Sequence, residues 1–156
     1  MTMRRRDLQQ LDLSAALDVA RDAATRTGVS IEHRVEQVPP ATSLVVSSSD
    51  PATAKVTVST IEPGTMFLDI GAGLHGEWLL RSAGEVATAL ADLGIIFEAV
   101  FRGNVEERVR RFPGGRHSIQ GFVKAADKTY RFRHHAVGLT AQAGSHHYAP
   151  YPPITA

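Results

Sequence analysis

The chain has 156 residues, an apolar share of 43%, a charged share of 21% and a net charge of +1, which fits one ordinary folded domain and excludes wholesale disorder. It has no cysteine, which excludes disulfides and thiolate metal sites. No run approaches the roughly 20 apolar residues of a membrane-spanning helix, and the start has positive charge without the apolar stretch of a signal peptide, so a cytoplasmic protein is expected.

In chain order, residues 1–10 are polar and expected to fray. From Asp12 to Arg26, Leu13, Ala16, Leu17, Ala20, Ala23 and Ala24 recur at helical spacing, with Asp12 placed to cap the start and Gly28 just past the end. The narrow alanine stripe predicts a helix lying close against a flat neighbour. Val29 to Val38 reads as a strand ended by Pro39-Pro40. Leu44 to Val46, Val56 to Thr60 and Met66 to Ile70 read as further strands, separated by turn-rich segments. The connections are too short for parallel crossovers, so antiparallel pairing is expected. After Gly71, Gly73 and Gly76 comes the only tryptophan, Trp78, read as an aromatic plug beside a glycine bend.

Ser82 and Glu85 have capping-box spacing, and Val86, Leu90 and Leu93 follow at helical intervals up to Gly94, which predicts a second helix over 83–93. Ile95 to Arg102 alternates like a strand. Residues 104–112 fit either a short helix, which their Glu and Arg content favours, or a strand. Ile119–Ala125 and Thr129–Arg133 read as a hairpin. The fold expected is α+β: an antiparallel or mixed β-sheet of about six to eight strands packed against two main α-helices. It occupies residues 1–137 as a single domain, followed by a flexible tail over 138–156.

Three features compete for the function. Asp69-Ile-Gly71-Ala-Gly73-Leu-His75-Gly76 resembles the first motif of the Rossmann-like S-adenosylmethionine-dependent methyltransferases. The resemblance implies Asp69, Gly71 and Gly73 beside the methionine portion of that cofactor and Glu98 on its ribose hydroxyls. At the same bend, His75 with Asp69 or Glu77 offers an acid–base pair. The histidine pairs His134-His135 and His146-His147 lack chelating spacing, and Ser82 and Ser118 lie in no nucleophile elbow.

The third feature is charge. Residues 1–99 carry 8 Lys/Arg and 13 Asp/Glu, whereas residues 100–156 carry 9 and 3. Arg108, Arg110, Arg111, Arg116, Arg131 and Arg133 are interleaved with aromatic residues, a pattern suited to an acidic protein surface or to nucleic acid. The leading expectation is a non-catalytic, cofactor-free module that binds an acidic protein partner, for example an inhibitor or immunity-type protein neutralising an effector. The alternatives are a nucleic-acid binder using the basic C-terminal half, and a small enzyme or S-adenosylmethionine-binding protein using the glycine bend over residues 69–76.

Overall fold

Asp12 opens the first helix from the position its sequence context predicts. In the computed structural model, which describes residues 8–137 and 143–155 with 134–137 as backbone only, helix α1 spans Leu13–Thr27. The Asp12 carboxylate accepts from the Ser14 N–H at 2.9 Å, satisfying one of the unpaired donors of the first turn. Ala16, Ala20, Ala23 and Ala24 are its buried face.

Five strands follow as an antiparallel meander: β1 (Glu32–Val38), β2 (Ala41–Ser47), β3 (Val56–Thr60), β4 (Thr65–Ile70) and β5 (Leu74–Leu79), paired in that order. Strand side chains alternate between faces. Leu44, Val46, Val56, Val58, Met66, Leu68, Ile70 and Leu74 therefore form one buried face, while Ser43, Ser59, Thr57, Phe67, Asp69 and His75 share the other through the observed pairings.

Helix α2 (Ala83–Phe101) begins where the capping signal predicts. The Ser82 hydroxyl accepts from the Glu85 N–H at 3.1 Å. The Glu85 carboxylate returns to the Arg81 N–H at 2.6 Å and to the Arg81 guanidinium at 2.7 Å, one residue earlier than a standard box. The helix does not stop at Gly94, and the strand expected over Ile95–Arg102 is helical. Ala89, Leu93, Ile96, Phe97, Val100 and Phe101 are buried at spacings of three and four, so the apparent alternation was one edge of a wide apolar helical face. A side chain at Gly94 would meet Val19 of α1 at 3.5 Å, and the two helices pack against each other there.

The second sheet has the order β8-β7-β6-β9, all antiparallel, from β6 (Val105–Phe112), β7 (Arg116–Lys124), β8 (Thr129–Val137) and β9 (Gly144–His147). Residues 104–112, for which a helix was favoured, are thus β6. Pro113-Gly114-Gly115 turns a hairpin, and Val105 and Val109 are buried against the same core as Ile119 and Val123. The architecture is α+β as expected, but the described residues form nine strands in two sheets rather than one sheet of six to eight. Residues 143–155, expected as part of a flexible tail, are docked. Tyr151 is 2% exposed, its hydroxyl donates to the Ala54 carbonyl at 2.7 Å, and its ring lies 4.7 Å from that of Phe101. Residues 1–7 and 138–142 and the side chains of His134 and His135 lie outside what the structure describes.

Candidate functional site

The two sheets meet at the glycine bend. Strand β5 lies against the inner face of the second sheet, where Leu74 sits directly over Gly121 and leaves no room for a β-carbon there. Gly71 has φ of 61°, and a β-carbon on it would collide with the Tyr148 hydroxyl. That hydroxyl accepts from the Ala72 N–H at 2.9 Å and donates to the buried Glu107 carboxylate at 2.6 Å. Burial, reinforced by the Glu107 hydrogen bond, pushes the Tyr148 phenol upward in pKa, so it remains a donor. Gly73 and Gly76 would meet Ile119 and Phe132, each at 2.7 Å. The glycines therefore bring one sheet onto the other.

This packing corrects the cofactor-loop resemblance. Asp69 and His75 are cross-strand partners in an antiparallel hairpin, whereas the methyltransferase motif leads from a parallel strand into a helix. The backbone approach at Gly71 is occupied by the chain's own Tyr148 and Glu107. Glu98 lies on α2, paired with Arg26 and Arg102 at 3.4 Å each. It lines a cleft of about 550 Å³ that shares no residue with the cleft of about 240 Å³ at the bend. These residues do not fit S-adenosylmethionine as the resemblance implies.

The acid–base residues are brought together. His75 Nδ1 lies 2.8 Å from Asp69 Oδ1, Nε2 lies 3.4 Å from Glu77 Oε1, and the ring stacks on Phe67 with centroids 5.9 Å apart. Partial burial opposes the imidazolium, but Asp69 and then Glu77 outweigh it and raise the His75 pKa. Both ring nitrogens face carboxylates. A histidine that acts as general base keeps one nitrogen for the nucleophile, whereas here the ring bridges two carboxylates on an open sheet face. Among the described residues, no three His, Asp or Glu side chains converge to hold a metal ion.

The register of the second sheet gathers the arginines. Across β6 and β7, Arg110 opposes Ser118, Arg108 opposes Gln120 and Phe112 opposes Arg116. Across β7 and β8, Arg131 opposes Phe122 and Arg133 opposes Gln120. Arg108, Arg110, Arg116, Arg131 and Arg133 therefore share the outer face, all exposed, together with Lys124. Arg111, the sixth predicted residue, falls on the opposite face across from His117. The Arg108 and Arg131 guanidiniums lie 5.0 and 5.9 Å from the Phe122 ring centroid. Such contacts restrict the long side chains to a few rotamers while leaving their donors in water. Phe112, 49% exposed, extends this face.

One acid interrupts it. Glu106 accepts from Arg108 Nε at 2.8 Å and from Lys124 Nζ at 3.4 Å. The Arg108 hydrogen bond, with help from Lys124, holds its carboxyl below the ordinary range against partial burial. Among the described residues, Arg110, Arg116, Arg131 and Arg133 form no ion pair within 4 Å.

Sequence reading missed the polar anchor of the core. Asp92, in the middle of α2, accepts from Tyr130 Oη at 2.6 Å, Trp78 Nε1 at 3.0 Å and Lys128 Nζ at 3.2 Å. It ties the helix to both sheets. Burial opposes its charge, but the three donors prevail and lower its pKa. One polar residue in an amphipathic helix carries no local signal of this role. Comparison of the chain with protein-family models, curated proteins and solved structures gives no match.

Proposed function

We propose that the protein is a cytoplasmic binding module whose outer β6–β7–β8 face takes an acidic protein surface, in the manner of an inhibitor or immunity-type protein that covers an effector. The observation that carries this reading is the set of exposed arginines, Arg110, Arg116, Arg131 and Arg133, without carboxylate partners among the described residues, held on one sheet face with Phe122 and Phe112 among them. Guanidiniums beside aromatic rings are the groups that contribute most at protein interfaces, because they bring bidentate donors and apolar area together.

Two features favour a protein over nucleic acid. Glu106 engages Arg108 and Lys124 from within the face, which takes two cations out of a continuous line for phosphates. The chain's pI of about 8.2 is also below the strongly basic range of dedicated nucleic-acid modules. No helix among the described residues is long and apolar enough to cross a membrane.

The test is affinity purification from the native host with wild type and with an Arg110→Glu/Arg133→Glu variant. The expected result is one stoichiometric acidic protein that the variant fails to retain. The same two proteins are titrated with a labelled mixed-sequence oligonucleotide at increasing salt. Tight, salt-dependent binding of the oligonucleotide, with no protein partner recovered, would overturn this reading in favour of nucleic acid.

A further inference from the structure

Among the described residues, strand β1 is an open edge. Its seven residues pair with β2 on one side in an unbroken register, it stands last in the five-stranded order, and all of them but Glu36 are exposed. Edge strands present unpaired N–H and C=O groups and are ordinarily blunted by charged side chains, lysine above all, or by a bulge or a proline. Within β1 there is no lysine, bulge or proline, and its charges, Glu32, Arg34 and Glu36, are of both signs. Val35 and Val38 are instead 57% and 68% exposed.

The charges on β1 are self-complementary. Arg34 and Glu36 lie on the same face, two residues apart, with Arg34 Nε 2.6 Å from Glu36 Oε1. We infer that β1 pairs antiparallel with β1 of a second copy about a two-fold axis at Val35, joining the two five-stranded sheets edge to edge. Val35 is the middle residue of the strand, so this register uses its full length. It sets Arg34 opposite Glu36 of the second copy and Glu36 opposite the second Arg34. The four charges then alternate around a square, each with an opposite charge along its own strand and another across the axis.

Other alignments lose this match. Axes at Arg34 or Glu36 set like charge against like, and so does in-register parallel pairing. An axis at His33 overlaps only part of the strand. Isologous pairing of this kind is the commonest route to a closed dimer, and the two Val35 side chains meet on the axis. The interface is small, which makes the dimer dependent on concentration. It uses neither the arginine face nor the glycine bend, so it stands or falls independently of the function proposed above.

Sedimentation velocity on the full chain tests the register. Wild type is expected to shift from monomer to dimer as concentration rises. Arg34→Glu alone and Glu36→Arg alone each set like charges together and should weaken the dimer at least tenfold. Mixed in equal amounts, these two variants regain both opposite-charge contacts across the axis, though not the one along each strand, and should form a heterodimer. Far-ultraviolet circular dichroism establishes that both variants are folded. A wild type that stays monomeric up to ~1 mM would overturn the inference. So would a dimer indifferent to both substitutions, or folded variants that remain monomeric when mixed.

Discussion

The outer faces of the two sheets are built alike and charged oppositely. On the first, three acids are engaged where they stand: Arg34 pairs with Glu36, and His75 bridges Asp69 and Glu77. On the second, one carboxylate, Glu106, serves Arg108 and Lys124, while four further arginines carry no such partner among the described residues. Surface ion pairs of the compensated kind contribute little to stability. An uncompensated guanidinium contributes nothing to the fold either, but it keeps its donors for another molecule. The difference separates a face that is merely solvated from one that is available for binding.

The inner faces sharpen the contrast, because there the same strands tolerate almost nothing. Gly121→Val would push two methyl groups into Leu74, and the expected cost is about 2–3 kcal/mol in urea unfolding. Its outward-facing neighbour offers the control: Gln120→Val should change stability by no more than about 0.5 kcal/mol. If both substitutions cost the same, the assignment of faces in β7 is wrong.

The Asp92 anchor comes next in size. Asp92→Ala leaves the Trp78 and Tyr130 donors without their acceptor, at about 2 kcal/mol. Its pH dependence has a definite sign. The folded-state pKa is lowered, so the stabilisation is present above the unfolded value near 4 and is lost as pH falls through the folded value. Asp92→Asn should flatten that part of the acid-side decline, whereas an unchanged acid profile would remove Asp92 from the account. Trp78 is only partly buried, so Trp78→Ala should cost about 2–3 kcal/mol, at or below the lower limit of the range for buried aromatic truncations.

The smallest effect is expected at His75. Two carboxylates raise its pKa, so the stabilisation is complete below the ordinary value near 6.5 and fades as pH rises through the folded value. An NMR titration of the ring should give a midpoint above 6.5 that falls in Asp69→Asn. A midpoint at or below the ordinary value would contradict the bridge to the two carboxylates.

These faces were only partly legible in the sequence. The caps were readable because Asp12, Gly28 and Ser82 act on backbone within a few residues of themselves. The early strands were readable because each is short, β-branched and punctuated by turns. Ile95–Arg102 was misread because an apolar stretch this dense satisfies both the two-residue and the helical period, and only packing against α1 decides between them. Residues 104–112 went the other way, since Glu and Arg favour helices locally while pairing with β7 and β9 imposes a strand. That misreading concealed the arginine face. Arg108 and Arg110, and likewise Arg131 and Arg133, are two residues apart, a spacing that gathers charge on one face only in a strand. The docking of Tyr148 and Tyr151 depends on partners about 40 to 100 positions away, which no local pattern encodes. The arginine composition was visible from the start, whereas its convergence on one surface depends on register.

The claim that this surface is the functional one is tested most directly by calorimetric titration of the co-purified partner into wild type, Arg110→Glu/Arg133→Glu and Gln37→Glu, the last a charge change on the first sheet. The double reversal should weaken binding at least 100-fold with little change in stability, through loss of two guanidiniums and like-charge repulsion, while Gln37→Glu leaves the affinity within about twofold. Equal affinities for the arginine variant and wild type would contradict the assignment and move the binding site away from the second sheet.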